Sequence, residues 1–203
     1  MNAFDFNEAE PQRAGGGELI PDNTIALVVA KLRPGGTGPD GWLKASNDGG
    51  CQMMDFEFTV DGGEHDRRKF WSTFIVSGTS DGHEKAANIS RSRLRAMLES
   101  ARGIMPTDTS PDAIAGRRAN GYADFDGISF CAKIGVEQGG LKDKTAGPNS
   151  ERYADKNVIK AVITPDDADY IRPNGGTPRG ASKPTASNQA TVGGSSSKPS
   201  WAA

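Results

Sequence analysis

The sequence predicts a mainly β protein: a five-stranded OB-like barrel with one helix between strands three and four, and a disordered C-terminal tail. Three observations carry this. Five runs rich in β-branched and aromatic residues lie between residues 24 and 163. One stretch, Glu84 to Arg102, has apolar residues at helical spacing instead. From Pro173 onward the chain is mostly Gly, Ser, Thr, Pro, Ala and Asn, too poor in apolar surface to offset the entropy of ordering. A helix after the third of five strands is the element order of an OB-fold, and 203 residues suit one core with extensions. The expected organisation is an N-terminal arm (1–23), one domain (24–165) and a tail (166–203).

The arm contains Gly15-Gly16-Gly17 and Pro21, which break regular structure, with Phe4 and Phe6 as the residues able to pin it. The first strand, Thr24 to Leu32, closes on Lys31 and Arg33. A Gly-rich connector holding Trp42 and Lys44 leads to the second strand, Cys51 to Val60, whose outward set is Cys51, Met53, Asp55, Glu57 and Thr59.

The third strand, Arg67 to Val76, is the most informative. Alternation places Arg68, Phe70, Ser72, Phe74 and Val76 on one side and Arg67, Lys69, Trp71, Thr73 and Ile75 on the other. The second side mixes cations with a tryptophan. Rings that stack on bases and cations that follow phosphates are what a single-strand binder needs, which makes Trp71 the leading stacking residue. Asp55 and Glu57 lie across from Arg67 and Lys69, so an ordinary salt-bridged surface is an equal expectation for the charges, as ordinary partial burial is for Trp71.

The helix places Ala86, Ile89, Leu94, Met97, Leu98 and Ala101 on its apolar stripe, with Gly103 and Pro106 as stop signals. Arg91, Arg93 and Arg95 do not share one helical face and read as solvated surface. In the fourth strand, Phe125 to Val136, the core stripe is Ile128, Phe130, Ala132, Ile134 and Val136, leaving Lys133 on the outer face to meet a phosphate. Arg152, Tyr153 and Lys156 precede the fifth strand, Asn157 to Ile163. The candidate nucleic-acid contacts are therefore Lys31, Arg33, Trp42, Arg67, Lys69, Trp71, Lys133, Tyr153 and Lys156.

Charge and motifs narrow the function further. The formal net charge is −2, and residues 25–164 hold eighteen acids and nineteen bases, so any nucleic-acid site must be local. Cys51 and Cys131 form no CxxC pair and no apolar leader precedes them, which fits a reducing cytoplasm. No run approaches the roughly 18 apolar residues of a membrane helix, so no membrane partner is expected. Cys51, His65, His83 and Cys131 match no short-spaced zinc signature, and Gly35-Gly36-Thr37-Gly38 lacks the Lys and Ser/Thr of a P-loop. No cofactor or metal and no catalysis is expected. The pairs Asp55/Glu57 and Asp124/Asp126 and the cluster Asp166, Asp167 and Asp169 keep a metal-dependent nuclease as the least favoured alternative.

The segments Phe4-Asp5-Phe6-Asn7, Ile20-Pro21-Asp22, Ala101-Arg102-Gly103-Ile104 and Tyr153-Ala154-Asp155-Lys156-Asn157-Val158-Ile159 carry a further signal. Over roughly residues 4 to 165 the chain resembles a family of small phage proteins linked to single-stranded-DNA binding in replication and recombination modules. The resemblance implies an OB-like fold and a DNA-handling role. Single-stranded DNA is the expected partner, with phage or host replication and recombination proteins and a homo-oligomer left open. The usual acidic tail ending on an aromatic residue is not matched, because Asp166, Asp167, Asp169 and Tyr170 come early and the sequence closes on Ser200-Trp201-Ala202-Ala203. A protein-interaction module that uses the tail as a tether is the runner-up.

Overall fold

The computed structural model describes residues 18–143, 145, 147 and 150–173. Phe4 and Phe6, and the tail beyond Pro173, lie outside the described residues.

Alternation in the sequence becomes an antiparallel sheet with one long helix. The strands are β1 (Thr24–Arg33), β2 (Lys44–Ala45), β3 (Cys51–Val60), β4 (Lys69–Gly78), β5 (Ser129–Glu137) and β6 (Lys156–Val162). Helix α1 (Asp81–Arg102) follows β4, and a short helix α2 (Pro111–Gly116) follows α1. In space β6, β5, β1 and β3 lie side by side, and β4 takes the remaining edge of β3. The two-residue β2 pairs with Gln52 and Met53 on the opposite edge of β3 from β4.

The inward face of the strands supplies the core. Val28, Ala30 and Leu32 of β1, Met54, Phe56, Phe58 and Val60 of β3, and Phe70, Phe74 and Val76 of β4 are buried with Phe130, Ala132 and Ile134 of β5. Phe58 stacks near Phe56 and meets Phe130 edge-on at 5.9 Å, which gives this core aromatic contacts beyond area burial alone. Helix α1 packs on this face against β4, β5 and β6 through Leu94, Met97 and Leu98.

The helix starts three residues earlier than its apolar spacing predicts. Ser80 caps it by accepting from the His83 N–H at 3.2 Å, and Gly103 ends it at φ 66°. Ile89 departs from the expected stripe and is exposed, its place taken by Ala87 and Ser90. The arginines are not simply solvated: Arg93 lies 5.8 Å over the Phe74 ring, and Arg95 joins Arg117 on the buried Glu99 carboxylate. Arg117 also donates to the carbonyls of Met105, Pro106 and Asp108, which fixes the connection between the two helices.

Two corrections concern strand geometry. The closed barrel expected from element order is not formed, because no hydrogen-bonded ladder joins β4 to β6 and the sheet stays open. Residues 18–20 lie in that gap, where the Asn157 amide accepts from the Ile20 N–H at 2.9 Å and donates to its carbonyl at 2.8 Å. The expected arm is thus anchored at its end, with Ile20 in the core. In β3 a register shift between Gln52 and Met53 turns Cys51 inward, where it is buried instead of outward.

Residues 166–173, grouped with the tail by composition, pack back on the sheet. The Tyr170 hydroxyl donates to the Ser100 carbonyl at 2.7 Å, and the Ile171 N–H approaches the Cys131 sulfur at 3.4 Å. Cys131, Leu27 and Ile163 are buried beneath this segment, with Ile25 and Tyr170 packed on them. No helix of the described residues is long and apolar enough to cross a membrane.

Candidate nucleic-acid interface

The outward face of β1, β3 and β4 collects the side chains that alternation directs away from the core. Register makes Lys31, Glu57 and Trp71 one cross-strand row, with Arg33, Asp55 and Thr73 the next row. Val29, Thr59 and Lys69 form the row on the other side. Trp71, on the edge strand β4, is 49% exposed.

Two of its cations are partly neutralised. Lys69 Nζ lies 2.8 Å from Glu57, and Arg33 lies 3.6 Å from Asp55. The Lys69 hydrogen bond holds the Glu57 carboxyl below its ordinary range, helped by Lys31 and by the Trp71 indole against desolvation. Lys31 has no carboxylate within ion-pair distance among the described residues, although the field of Glu57 reaches it. Three cations against two carboxylates leave the face weakly positive, which suits contact with a few phosphates more than broad coating of a duplex.

Arg67 does not belong to the strand face. It sits in the tight turn before β4 at φ 61° and pairs with Asp66 at 3.6 Å. The turn nevertheless brings it to a shallow depression that it shares with Lys31, Glu57, Thr59 and Lys69.

Lys133 is a clearer departure. It stands between Ile25 of β1 and Ala161 of β6, and six residues of strand separate Ile25 from Lys31, about 20 Å. Trp42 is partly buried against the core, which removes much of its ring from any stacking surface. Tyr153 is 61% exposed in the loop before β6. Lys156 pairs with Glu137 at 3.2 Å and lines a groove with Trp71.

That groove, about 760 Å3, runs between the unpaired edges of β4 and β6. Leu19, Ile20, Arg68, Phe70, Trp71 and Lys156 are among its walls. Arg68 and Leu19 were not singled out by sequence reasoning. Alternation assigns Arg68 to the core side, and only its position at the strand end, past the last core layer, marks it as reachable.

The carboxylates considered for metal chemistry have structural employment. Asp126 accepts from the Leu32 N–H at 2.8 Å, Asp124 from the Asn120 N–H at 2.7 Å, and Asp166 from the Thr164 hydroxyl at 2.6 Å. Among the described residues no group of three or more His, Cys, Asp or Glu side chains is placed to hold a metal ion.

The arrangement therefore offers one ring for stacking on the edge strand β4, with Lys69 two residues before it and Lys31 and Arg33 two strands away on β1. No protein-family model, no curated protein and no solved structure matches this chain.

Proposed function

We propose that this protein binds single-stranded DNA without strong sequence preference, as a non-catalytic component of phage DNA replication or recombination. The observation that carries the reading is Trp71, a half-exposed indole on the edge strand of a polar sheet face, with Lys69 beside it on β4 and Lys31 in the same cross-strand row beyond Glu57. The exposed half of the Trp71 ring gains nothing for folding by standing in water, whereas a stacked base would cover it. The strand order and the helix between β4 and β5 fit an open OB-like sheet, and in that fold the corresponding strands and flanking loops receive oligonucleotides.

The test is a titration with a poly-thymidine oligonucleotide at two salt concentrations, read by tryptophan emission and by gel shift. Quenching that weakens as salt rises is expected, with Trp71→Ala lowering affinity by about 1–3 kcal/mol. No binding at low salt would falsify the reading. It would favour the second one, a docking module for a protein partner, for which the unpaired edges of β4 and β6 speak.

A further inference from the structure

Strand β1 outlasts its partner β3 at one end. Pairing with β3 covers Val28 to Arg33, whereas pairing with β5 continues back to Thr24. On the edge that β3 has left, the Asp61 N–H donates to the Leu27 carbonyl at 2.9 Å. Backbone groups alternate sides along an antiparallel strand, so Ile25 and Leu27 both turn theirs to this edge. The Ile25 N–H and C=O and the Leu27 N–H have no hydrogen-bond partner among the described residues.

This edge is one wall of a cavity of about 520 Å3, bounded on the other side by the turn between β3 and β4. Leu27, Val60 and Ile171 give it apolar surface, and Asp61 and Glu64 bring carboxylates to it. Neither carboxylate has an ion-pair partner among the described residues. The cavity shares Val60 and Asp61 with the depression that holds Lys31, Arg67 and Lys69.

A nucleobase fits this chemistry. A backbone C=O and an N–H two residues apart on one edge suit a flat group that offers a donor beside an acceptor, as every base does. The carboxylates add a choice: an amino group has a second hydrogen for them, as in adenine and cytosine, whereas thymine would turn a carbonyl oxygen toward their charge. A peptide strand fits less well, because the free edge covers only Ile25 to Leu27 before Thr24 turns back on the Pro21 carbonyl. The neighbouring cations suit a phosphate.

We propose that this cavity receives an adenine or cytosine of the bound strand. The Ile25 C=O and a carboxylate of Asp61 or Glu64 accept from its amino group, the Leu27 N–H donates to the ring nitrogen beside it, and the adjoining phosphate lies over Lys31, Arg67 and Lys69. The subsite rests on the DNA-binding reading and refines it: stacking on Trp71 tolerates any base, and one further position has a modest preference.

The experiment uses the full chain and three strands: an oligothymidine, the same strand with one central deoxyadenosine, and the same with N6,N6-dimethyldeoxyadenosine, which lacks both amino hydrogens. In competition gel shifts the deoxyadenosine strand is expected to bind about three- to tenfold tighter than the other two, the gain from one net hydrogen bond. It should also slow amide hydrogen exchange at Leu27. Asp61→Ala with Glu64→Ala, both exposed positions, should bring the ratio near one while tightening all three strands, since two negative charges are gone. Equal affinity of the wild-type protein for the three strands, or unchanged Leu27 exchange, overturns the subsite and leaves the DNA-binding reading standing. Deoxyadenosine monophosphate binding as tightly as the strand would give the cavity to a free nucleotide and overturn the strand's place in it. Failure of every strand and of the mononucleotide to bind removes both the subsite and the DNA-binding reading.

Discussion

The outward surface of one sheet is treated in two ways. Toward β5 and β6, the apolar side chains Ile25, Leu27, Cys131 and Ile163 are roofed by the chain itself, with Tyr170 tied to the end of α1. Toward β3 and β4, the surface is open, with Lys31, Asp55, Glu57 and Lys69 in rows beside a half-exposed Trp71 on the edge strand. Where this sheet is mostly apolar outside, the chain covers it, and where it is mostly polar, it stays open. Val29, Met53 and Ile75 on the open half are partly covered, whereas Trp71 is 49% exposed, and that contrast singles it out.

The largest effect should come from lifting the roof. Tyr170→Ala removes a ring and a hydrogen bond to Ser100, and should cost about 2–4 kcal/mol in urea denaturation. Trp71→Ala, which gives up the covered half of the ring and the indole bond to Glu57, should cost less, about 1 kcal/mol. Equal costs would abolish the distinction between the halves.

Thiol chemistry reads the same roof. Burial raises the Cys131 thiol, with Asp167 and Asp169 adding to the shift against the Ile171 N–H, so alkylation of the folded protein should be slow. Tyr170→Ala should speed Cys131 labelling by about an order of magnitude or more, measured by mass spectrometry, since access would then need only local opening.

A smaller effect separates the lysines. Lys31→Ala should weaken oligonucleotide binding and reduce the salt slope by about 1. Lys133→Ala, at the roofed end, should leave both unchanged. If Lys133 matters as much as Lys31, DNA crosses the roofed half too.

The smallest concerns Glu57. Its lowered folded pKa means that its ion pair stabilises the protein above the ordinary glutamate value of 4.5, and that this contribution is lost as pH falls below 4.5 through the folded value. Protonation frees Lys69 over the same interval. Glu57→Gln should therefore tighten oligonucleotide binding slightly at neutral pH and flatten this part of the stability profile, which paired pH titrations would reveal.

Much of the strand pattern was legible in the sequence. Alternation placed Glu57, Lys69 and Trp71 on one face, and register then set Lys31 beside Glu57. What escaped depends on contacts remote in the chain. The shift at Gln52 and Met53 that buries Cys51 leaves no mark in composition. Asn157 reads as a plain strand residue, yet its amide binds Ile20, 137 positions away. The docking of Tyr170 on Ser100 looks in sequence like the start of a solvated linker, because one aromatic residue among aspartates gives no periodicity to read. Arg67 was misplaced because a positive φ is a property of the turn it sits in, and alternation assumes extended backbone.

The central claim, that the open half of the sheet is the DNA-binding face, is tested most directly by photo-crosslinking an iodouracil-bearing oligonucleotide to the intact protein and locating the adduct by peptide mass spectrometry. The account expects the adduct on Trp71, lost in Trp71→Ala and weakened by salt. Adducts confined to α1 or to the segment around Tyr170, with Trp71 unmodified, would contradict it.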